Sequence, residues 1–454
     1  MPLASAPAAP ALRRALGRWD LTAIGINAVI GGAIFLVPSQ VAARLGGWAP
    51  LAYLLVGCAS LLVALCFAEV GSRFDRTGGP YLYTRAAFGP FIGFQVGWMM
   101  WFTRVTSQAS IVNGIALALG FYWPALTGGA ARQAIVTLLV ASIALVTVSG
   151  IRQSAWTVNT LTVAKLLPLG VVIGAGVLQA DWGGWPAAPP LSAGDAVAAA
   201  LLLIFTFGGF DIIGVPAGEA REPRRDLPFA SIVTIFVVTA VMTLVHVVAM
   251  LALPALAQST TPVADTAQVL LGGTGALLVG VGSILSMLGN NAGGVLAGSR
   301  VLFALAEDGV LPRALARVHP RYRTPSRAVW FTSAVALALA LTGSFVTLAA
   351  ASAVSRLLTY TGVSAATLAL RHRRFIGRVQ PSKFVIPFGA TIPVLALAGS
   401  ILPILVSSPR QLAIGTATIV VGAVIFVLVR RLELPSPAAT AVSSPTSAAR
   451  SPKA

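Results

Sequence analysis

Twelve long apolar stretches dominate this sequence of 454 residues, and most approach the ~20 residues that an α-helix needs to cross about 30 Å of hydrocarbon. They lie at 21–43, 49–70, 91–119, 133–149, 157–178, 195–217, 229–253, 268–298, 328–342, 352–370, 386–405 and 411–430. Only 10% of the residues are charged, whereas soluble domains carry about 25%. None of the stretches alternates as a barrel strand does. We therefore predict an all-α membrane protein with 12 transmembrane helices.

Positive charges fall mostly on one side of these predicted spans. If the N-terminus is cytoplasmic, 25 of the 31 Lys and Arg residues lie in cytoplasmic segments, three lie outside and three lie within spans. Membrane proteins typically show this excess of Lys and Arg in their cytoplasmic loops. It predicts a multi-pass protein of the inner (cytoplasmic) membrane with both termini in the cytoplasm. The net charge of +18 therefore reflects the topology of a chain in a lipid bilayer, and no nucleic-acid partner is expected.

The first span contains two adjacent glycines, Gly31 and Gly32, near its centre. Broken backbone persists at the depth of a bilayer only beside a cavity or inside protein, because unpaired N–H and C=O groups cost several kcal/mol. The sixth span carries a second pair, Gly208 and Gly209, as an inverted repeat of five helices predicts. Close helix packing is the alternative for either pair alone. The matched pairs favour two broken helices around a binding site.

The ends of the broken helices indicate which ligand would fit. A half-helix that begins near Ala33 presents free N–H groups and the positive end of its dipole, which suits a carboxylate. Carbonyl groups near Val29 and Ile30 can accept hydrogen bonds from an ammonium group, and the sixth span offers a complementary set between Phe205 and Gly209. A ligand with both groups on one carbon matches this arrangement, and that ligand is an amino acid.

Several motifs resemble those of the amino acid–polyamine–organocation (APC) superfamily of permeases, particularly the bacterial branch that is similar to cationic amino acid transporters. VIGGAIF, residues 29–35, is similar to the signature I-G-x-G-I-F, with Ala33 where glycine is usual. FGGFDIIGVPAGEAREPRRDLP, residues 207–228, resembles the sixth-span motif, with Glu222 where asparagine is common. The stretches 68–89 and 299–328 match cytoplasmic loops of the superfamily.

This resemblance implies a LeuT-like fold of two inverted five-helix repeats, with helices 1 and 6 broken, plus two peripheral helices. The domains would be a cytoplasmic N-terminal segment at 1–19, the repeats at 20–178 and 195–370, the peripheral helices at 384–431 and a disordered cytoplasmic tail at 435–454. The substrate would lie between spans one, three, six and eight. Its expected contacts are Ile30, Gly31, Gly32, Ala33, Phe207, Gly208, Gly209 and Phe210. Phe210 is expected to act as an aromatic gate.

Lys165 lies within the fifth span, about eight residues from its cytoplasmic end. A charge in a span costs ~3 kcal/mol or more, so a functional role is the default expectation, and snorkelling to the surface is the alternative. By resemblance, Lys165 stands where sodium binds in sodium-coupled relatives and would contact carbonyl groups near Ala28. Burial disfavours a charged ammonium and carbonyl contacts favour it. We therefore predict that Lys165 couples proton movement to substrate movement, although exchangers of the superfamily also carry such a lysine.

Arg104 in the third span and Asp211 just after the second break are the other notable charges at this depth. A structural ion pair between them is the favoured interpretation, because charges within the membrane usually pair. The functional alternative is that Arg104 receives an acidic side chain or a second carboxylate of the substrate.

Together these features predict a secondary active transporter that moves amino acids by alternating access, with a proton as the coupling ion in symport. The sequence contains no GxxxxGK[ST] loop and no credible metal-ligand cluster, so neither a cofactor nor a metal is expected. An amino acid/amine or amino acid/amino acid exchanger stays open, and an amino-acid sensor without transport is less favoured. An enzyme is not expected, since three scattered His residues do not form a catalytic site.

Overall fold

A computed structural model describes residues 16–74, 78–120, 123–149, 155–179, 181–214, 220–322 and 324–433. The predicted tail at 435–454 and most of the predicted N-terminal segment, 1–15, lie outside these residues. The described residues form fourteen α-helices joined by short turns and 3₁₀ segments, and they contain no β-strand. The prediction of an all-α protein is therefore confirmed.

The helices follow the predicted apolar stretches in order. In the first half they are α1 (Arg18–Val29), α2 (Ala33–Leu45), α3 (Ala49–Gly71), α4 (Gly79–Phe88), α5 (Pro90–Gly120), α6 (Gly129–Val148) and α7 (Ala155–Gln179). In the second half they are α8 (Ala193–Thr206), α9 (Pro223–Ala252), α10 (Pro262–Glu307), α11 (Ser326–Thr342), α12 (Phe345–Leu370), α13 (Thr391–Leu405) and α14 (Pro409–Glu433). Both stretches with a central glycine pair are interrupted there.

Many helices of this chain are long and apolar enough to span a membrane. Within the described part, seven helical stretches are long and apolar enough to cross a bilayer, and α11 and α13 are shorter apolar helices. The outer surfaces expose large apolar side chains, including Leu138, Leu178, Phe236, Leu285 and Leu402. Exposure of so many large apolar side chains costs free energy in water but not in lipid. The chain is therefore a multi-pass membrane protein.

Three details differ from the helices expected from the sequence. The short helix α4, bounded by the positive-φ glycines Gly78 and Gly89, was not among the predicted stretches. Helix α12 begins at Phe345, ahead of the predicted start at 352, because the Ser344 hydroxyl caps it by accepting from the Thr347 amide at 3.3 Å. Helix α13 begins only at Thr391, because Phe388 and Gly389 have positive φ values that a helix does not allow.

Packing places the two interrupted stretches at the centre of the molecule. Helices α1 and α2 contact α7, α8, α9 and α10, while α5 packs along both α10 and α12. Residues beside the interruptions, including Ile30, Phe207 and Phe210, are almost fully buried in the largest apolar cluster. Helix α14 packs against α5 and α12, and α13 against α3 and α12.

Candidate functional site

The first break consists of three residues between α1 and α2. Helix α1 ends at Val29, α2 begins at Ala33, and Ile30 has the non-helical angles φ −75° and ψ 83°. Neither glycine of the break has room for a side chain. A Cβ on Gly31 would lie 2.7 Å from Cγ of Asn290, and one on Gly32 would lie 2.6 Å from Cγ of Met287. The break was predicted from these glycines, and it is present.

Side chains of α7 and α10 satisfy the carbonyl groups that the first break leaves without helical partners. The Asn290 amide donates to the carbonyl oxygens of Ala28 at 2.8 Å and Asn27 at 3.3 Å. The Ser286 hydroxyl donates to the Gly31 carbonyl at 3.3 Å. These hydrogen bonds offset much of the free-energy cost of a broken helix inside the protein.

Lys165 reaches carbonyl groups of the same break from α7. Its Nζ atom lies 3.4 Å from the carbonyl oxygen of Asn27 and 3.5 Å from that of Ile30. These two residues flank Ala28, near which the contact was expected. The Lys165 side chain is only 5% exposed, so it does not snorkel to the surface.

The second break lies between α8, which ends at Thr206, and a short 3₁₀ turn, Phe210–Ile212. Gly209 has φ +139°, a conformation that residues with a Cβ rarely adopt. A Cβ on Gly209 would lie 2.5 Å from the Ala28 carbonyl oxygen and 2.9 Å from the Val29 amide nitrogen. The second break therefore lies against the backbone at the end of α1, where the first break begins.

The structure thus brings together the two short segments that hold the eight predicted contact residues. Seven of the eight are buried and Gly208 is half-buried. By position, the first amides of α2 have no helical partner and point towards the break, while the last carbonyls of α1 face the same place. This arrangement can bind a carboxylate at one helix end and an ammonium at the other.

Phe210, the predicted gate, lies in a cluster of three aromatic rings. Its ring centroid is 5.2 Å from that of Tyr360 on α12 and 5.8 Å from that of Phe67 on α3. The rings of Phe67 and Tyr360 are themselves 5.7 Å apart. The cluster joins α3, α12 and the turn after the second break, so any movement of Phe210 would involve all three.

The predicted pair of Arg104 and Asp211 is present, and a third residue completes it. Arg104 on α5 contacts Oδ2 of Asp211, and Arg356 on α12 contacts Oδ1 of the same carboxylate at 3.1 Å. All three side chains are at least 94% buried. Reasoning from the sequence missed Arg356, although its position inside a predicted span was a signal that could have identified it.

Other polar groups near this cluster have no hydrogen-bond partner among the described residues. They include Nε of Arg104, Nε of Arg356, both side-chain amide atoms of Gln108 and the hydroxyl of Tyr360. The side-chain amide of Asn291, next to Asn290, donates to the backbone carbonyl oxygen of Gln108 at 3.2 Å and so links α10 to α5.

A separate ion pair lies where α3 and α12 end. Arg371 donates from Nε to Oε1 of Glu69 at 2.7 Å, and Oε2 of Glu69 accepts from the Ile386 amide at 2.9 Å. Hydrogen bonding to Glu69 raises the pKa of the Arg371 guanidinium above its usual value. Glu69 thereby holds the segment before α13 against α3 and α12.

Comparison with known proteins gives one family. The model of the amino acid permease family matches residues 16–429. The serine/threonine exchanger SteT of Bacillus subtilis (strain 168) is 30% identical over 407 residues, which cover 86% of this chain and 90% of the relative. The methylthioribose transporter and the branched-chain amino acid permease BcaP of the same organism are each 28% identical, covering 85% of this chain and 86% of the relative. These relatives differ in the substrates that their names state.

Proposed function

This chain belongs to the amino acid permease family, and from that premise we propose that it is a secondary active transporter that moves amino acids across the membrane by alternating access. The observation that carries the proposal is the contact between the two helix breaks, where Gly209 lies against Ala28 and Val29. Relatives whose names state the transport of amino acids support it.

The proposed substrate site is the space around these breaks. The amides at the start of α2, from Gly32 to Ala33, would bind the substrate carboxylate, and the carbonyl of Ile30 would accept from its ammonium. Phe207, Gly208, Gly209 and Phe210 would form the opposite wall, with Phe210 as a gate. The proposal requires no cofactor and no metal.

The proposed architecture has twelve membrane spans, of which ten form two inverted repeats of five, at 20–178 and 195–370. In this arrangement α1 with α2 corresponds to α8 with the 3₁₀ turn at Phe210–Ile212, which agrees with the matched breaks. Helices α13 and α14 would be peripheral. The distribution of Lys and Arg supports an inner-membrane location with cytoplasmic termini.

The proposed energy source is the proton gradient, which Lys165 would couple to substrate movement in symport. The lysine is buried, and its Nζ atom lies near two carbonyl oxygens of the first break. Its protonation state would therefore alter the interactions that hold the break, and the break binds the substrate. Such a link between proton and substrate sites is the requirement for coupled transport.

The decisive measurement is uptake of a panel of labelled amino acids by proteoliposomes, with and without an inward proton gradient. Accumulation stimulated by the gradient is the expected result. Uptake that ignores the gradient and requires amino acid inside the vesicles would replace symport by exchange, an alternative favoured by the name of the relative SteT. Binding without any flux would indicate a sensor.

The Lys165→Met variant tests the coupling residue. We expect gradient-driven accumulation to fall about tenfold or more, because a methionine keeps the length of the side chain but cannot carry a proton. Lys383→Met is the matched control, since Lys383 is an exposed lysine in the segment before α13. Full gradient-driven accumulation by Lys165→Met would refute the coupling role.

A further inference from the structure

The buried cluster of Arg104, Asp211 and Arg356 has two cationic side chains and one anionic side chain. Arginine stays protonated in proteins, so the cluster carries one surplus positive charge. Asp211 is the one acidic side chain that the described residues place within ion-pair distance of either arginine. The exposed fractions of Arg104 and Arg356 are only 6% and 2%, so water screens neither charge effectively.

An uncompensated charge at this depth is costly. Burial of an ionised group without a partner is among the most unfavourable steps in folding, and charges within membranes are therefore almost always paired. A structural ion pair would need one arginine, not two. The second arginine therefore indicates that an anion outside the described residues completes the cluster.

Unpaired hydrogen-bond donors indicate where that anion would bind. Nε of Arg104 and Nε of Arg356 are buried without partners, and so is the amide of Gln108. Gln108 lies four residues after Arg104 on α5, so the two side chains share one face of that helix. Carboxylate oxygens are strong acceptors for guanidinium and amide donors.

The cluster borders the proposed substrate site at the second break. The Arg356 guanidinium occupies the place where a side chain on Gly208 would stand, and Gly208 is one of the predicted substrate contacts. Asp211 directly follows Phe210, whose ring packs on Tyr360 one helical turn beyond Arg356. A substrate held by its carboxylate and ammonium at the first break would have its side chain within reach of these donors.

We infer that the transported amino acids carry an acidic side chain, and that Arg104, Arg356 and Gln108 bind its carboxylate. The inference rests on the proposed function. The added carboxylate would bring the net charge of the cluster to zero and would supply acceptors for the unpaired donors. A neutral substrate would leave the surplus charge without a partner, even where its side chain, like that of glutamine, offers an acceptor to the donors.

Substrate competition on the wild-type protein tests the inference with pairs that differ in charge and little in shape. In proteoliposomes, L-glutamate and L-aspartate are expected to inhibit uptake at concentrations about tenfold or more below those of L-glutamine and L-asparagine. The same order is expected for thermal stabilisation of the detergent-solubilised protein, a readout that does not depend on flux. Equal or better competition by the amides would overturn the inference.

The Arg356→Gln variant tests the charge balance directly. It leaves the pair of Arg104 and Asp211, removes the surplus charge, and is expected to reduce the acidic-to-amide preference about tenfold or more. Arg371→Gln is the matched control, because Arg371 pairs with Glu69 away from the breaks, and its preference should remain that of the wild type. An unchanged preference in Arg356→Gln would also overturn the inference.

Two results separate failure of the inference from failure of the proposed function. Uptake of neutral amino acids without preference for acidic ones would refute the acidic substrate class and leave amino acid transport intact. If no amino acid is taken up or stabilises the protein, the proposed function itself is wrong. If Arg356→Gln does not fold, the acidic-to-amide ratio of the wild-type protein still decides the question. The Arg356→Lys variant keeps the charge and is therefore expected to keep the preference for acidic amino acids.

Discussion

At the scale of single residues, the close approach of the two breaks depends on the absence of a side chain at Gly209. We predict that Gly209→Ala reduces transport about tenfold or more, because a Cβ would both strain the backbone at φ +139° and collide with the Ala28 carbonyl. Uptake of the preferred amino acid, normalised to the amount of folded protein, measures the effect.

Gly170→Ala is the control for that substitution. Gly170 lies within α7 on an exposed face, and a Cβ there would meet nothing within 4 Å. Its transport should match that of the wild type. If both alanine variants transport equally well, the contact between the breaks is not required for function.

At the scale of whole elements, α10 acts as a support for the end of α1. One turn apart on α10, Ser286 and Asn290 donate to carbonyl groups of the first break. We predict that Asn290→Ala lowers stability by about 1–3 kcal/mol, because the half-buried Ala28 carbonyl loses its side-chain donor and the Asn27 carbonyl keeps only Lys165. A lower unfolding temperature, together with reduced uptake, would be the measured result.

Ser283→Ala provides the comparison on the same helix. Ser283 is buried and Asn290 half-buried, but the Ser283 hydroxyl donates to the Gly280 carbonyl within α10 at 2.8 Å. Its loss should change the unfolding temperature much less. Equal effects of both substitutions would show that α10 does not stabilise the break through these hydrogen bonds.

At the scale of the whole molecule, the proposed topology places successive loops on opposite sides of the membrane. The loop between α7 and α8 would face outside, and the segment between α12 and α13 would face the cytoplasm. In a background without Cys58 and Cys66, we expect Gly184→Cys to react with a membrane-impermeant thiol reagent in intact cells.

Lys383→Cys should be protected in the same cells and should react after the membrane is opened. Both positions are exposed in the structure, so accessibility to the reagent depends only on the side of the membrane. Labelling of Lys383→Cys in intact cells would contradict cytoplasmic termini, since it would reverse the orientation of every span.

The amino-acid sequence alone predicts the class of fold and the position of both breaks. Apolar length predicts where helices lie, because about 20 residues must cover the hydrocarbon, and each of the twelve predicted stretches contains a helix. The glycine pairs at 31–32 and 208–209 predicted the interruptions, because backbone geometry is a local property. The ends of α12 and α13 were less accurate, since capping and positive φ depend on individual residues.

Which side chains contact the breaks depends on how the helices pack. Asn290 lies more than 250 residues from the carbonyls it binds, and Arg356 lies 145 residues from Asp211. No local pattern encodes such pairs, because hydrogen bonds and ion pairs depend on distances of about 3 Å that packing alone sets. The sequence therefore predicted an ion pair at Asp211, and the fold made it a cluster with a surplus charge.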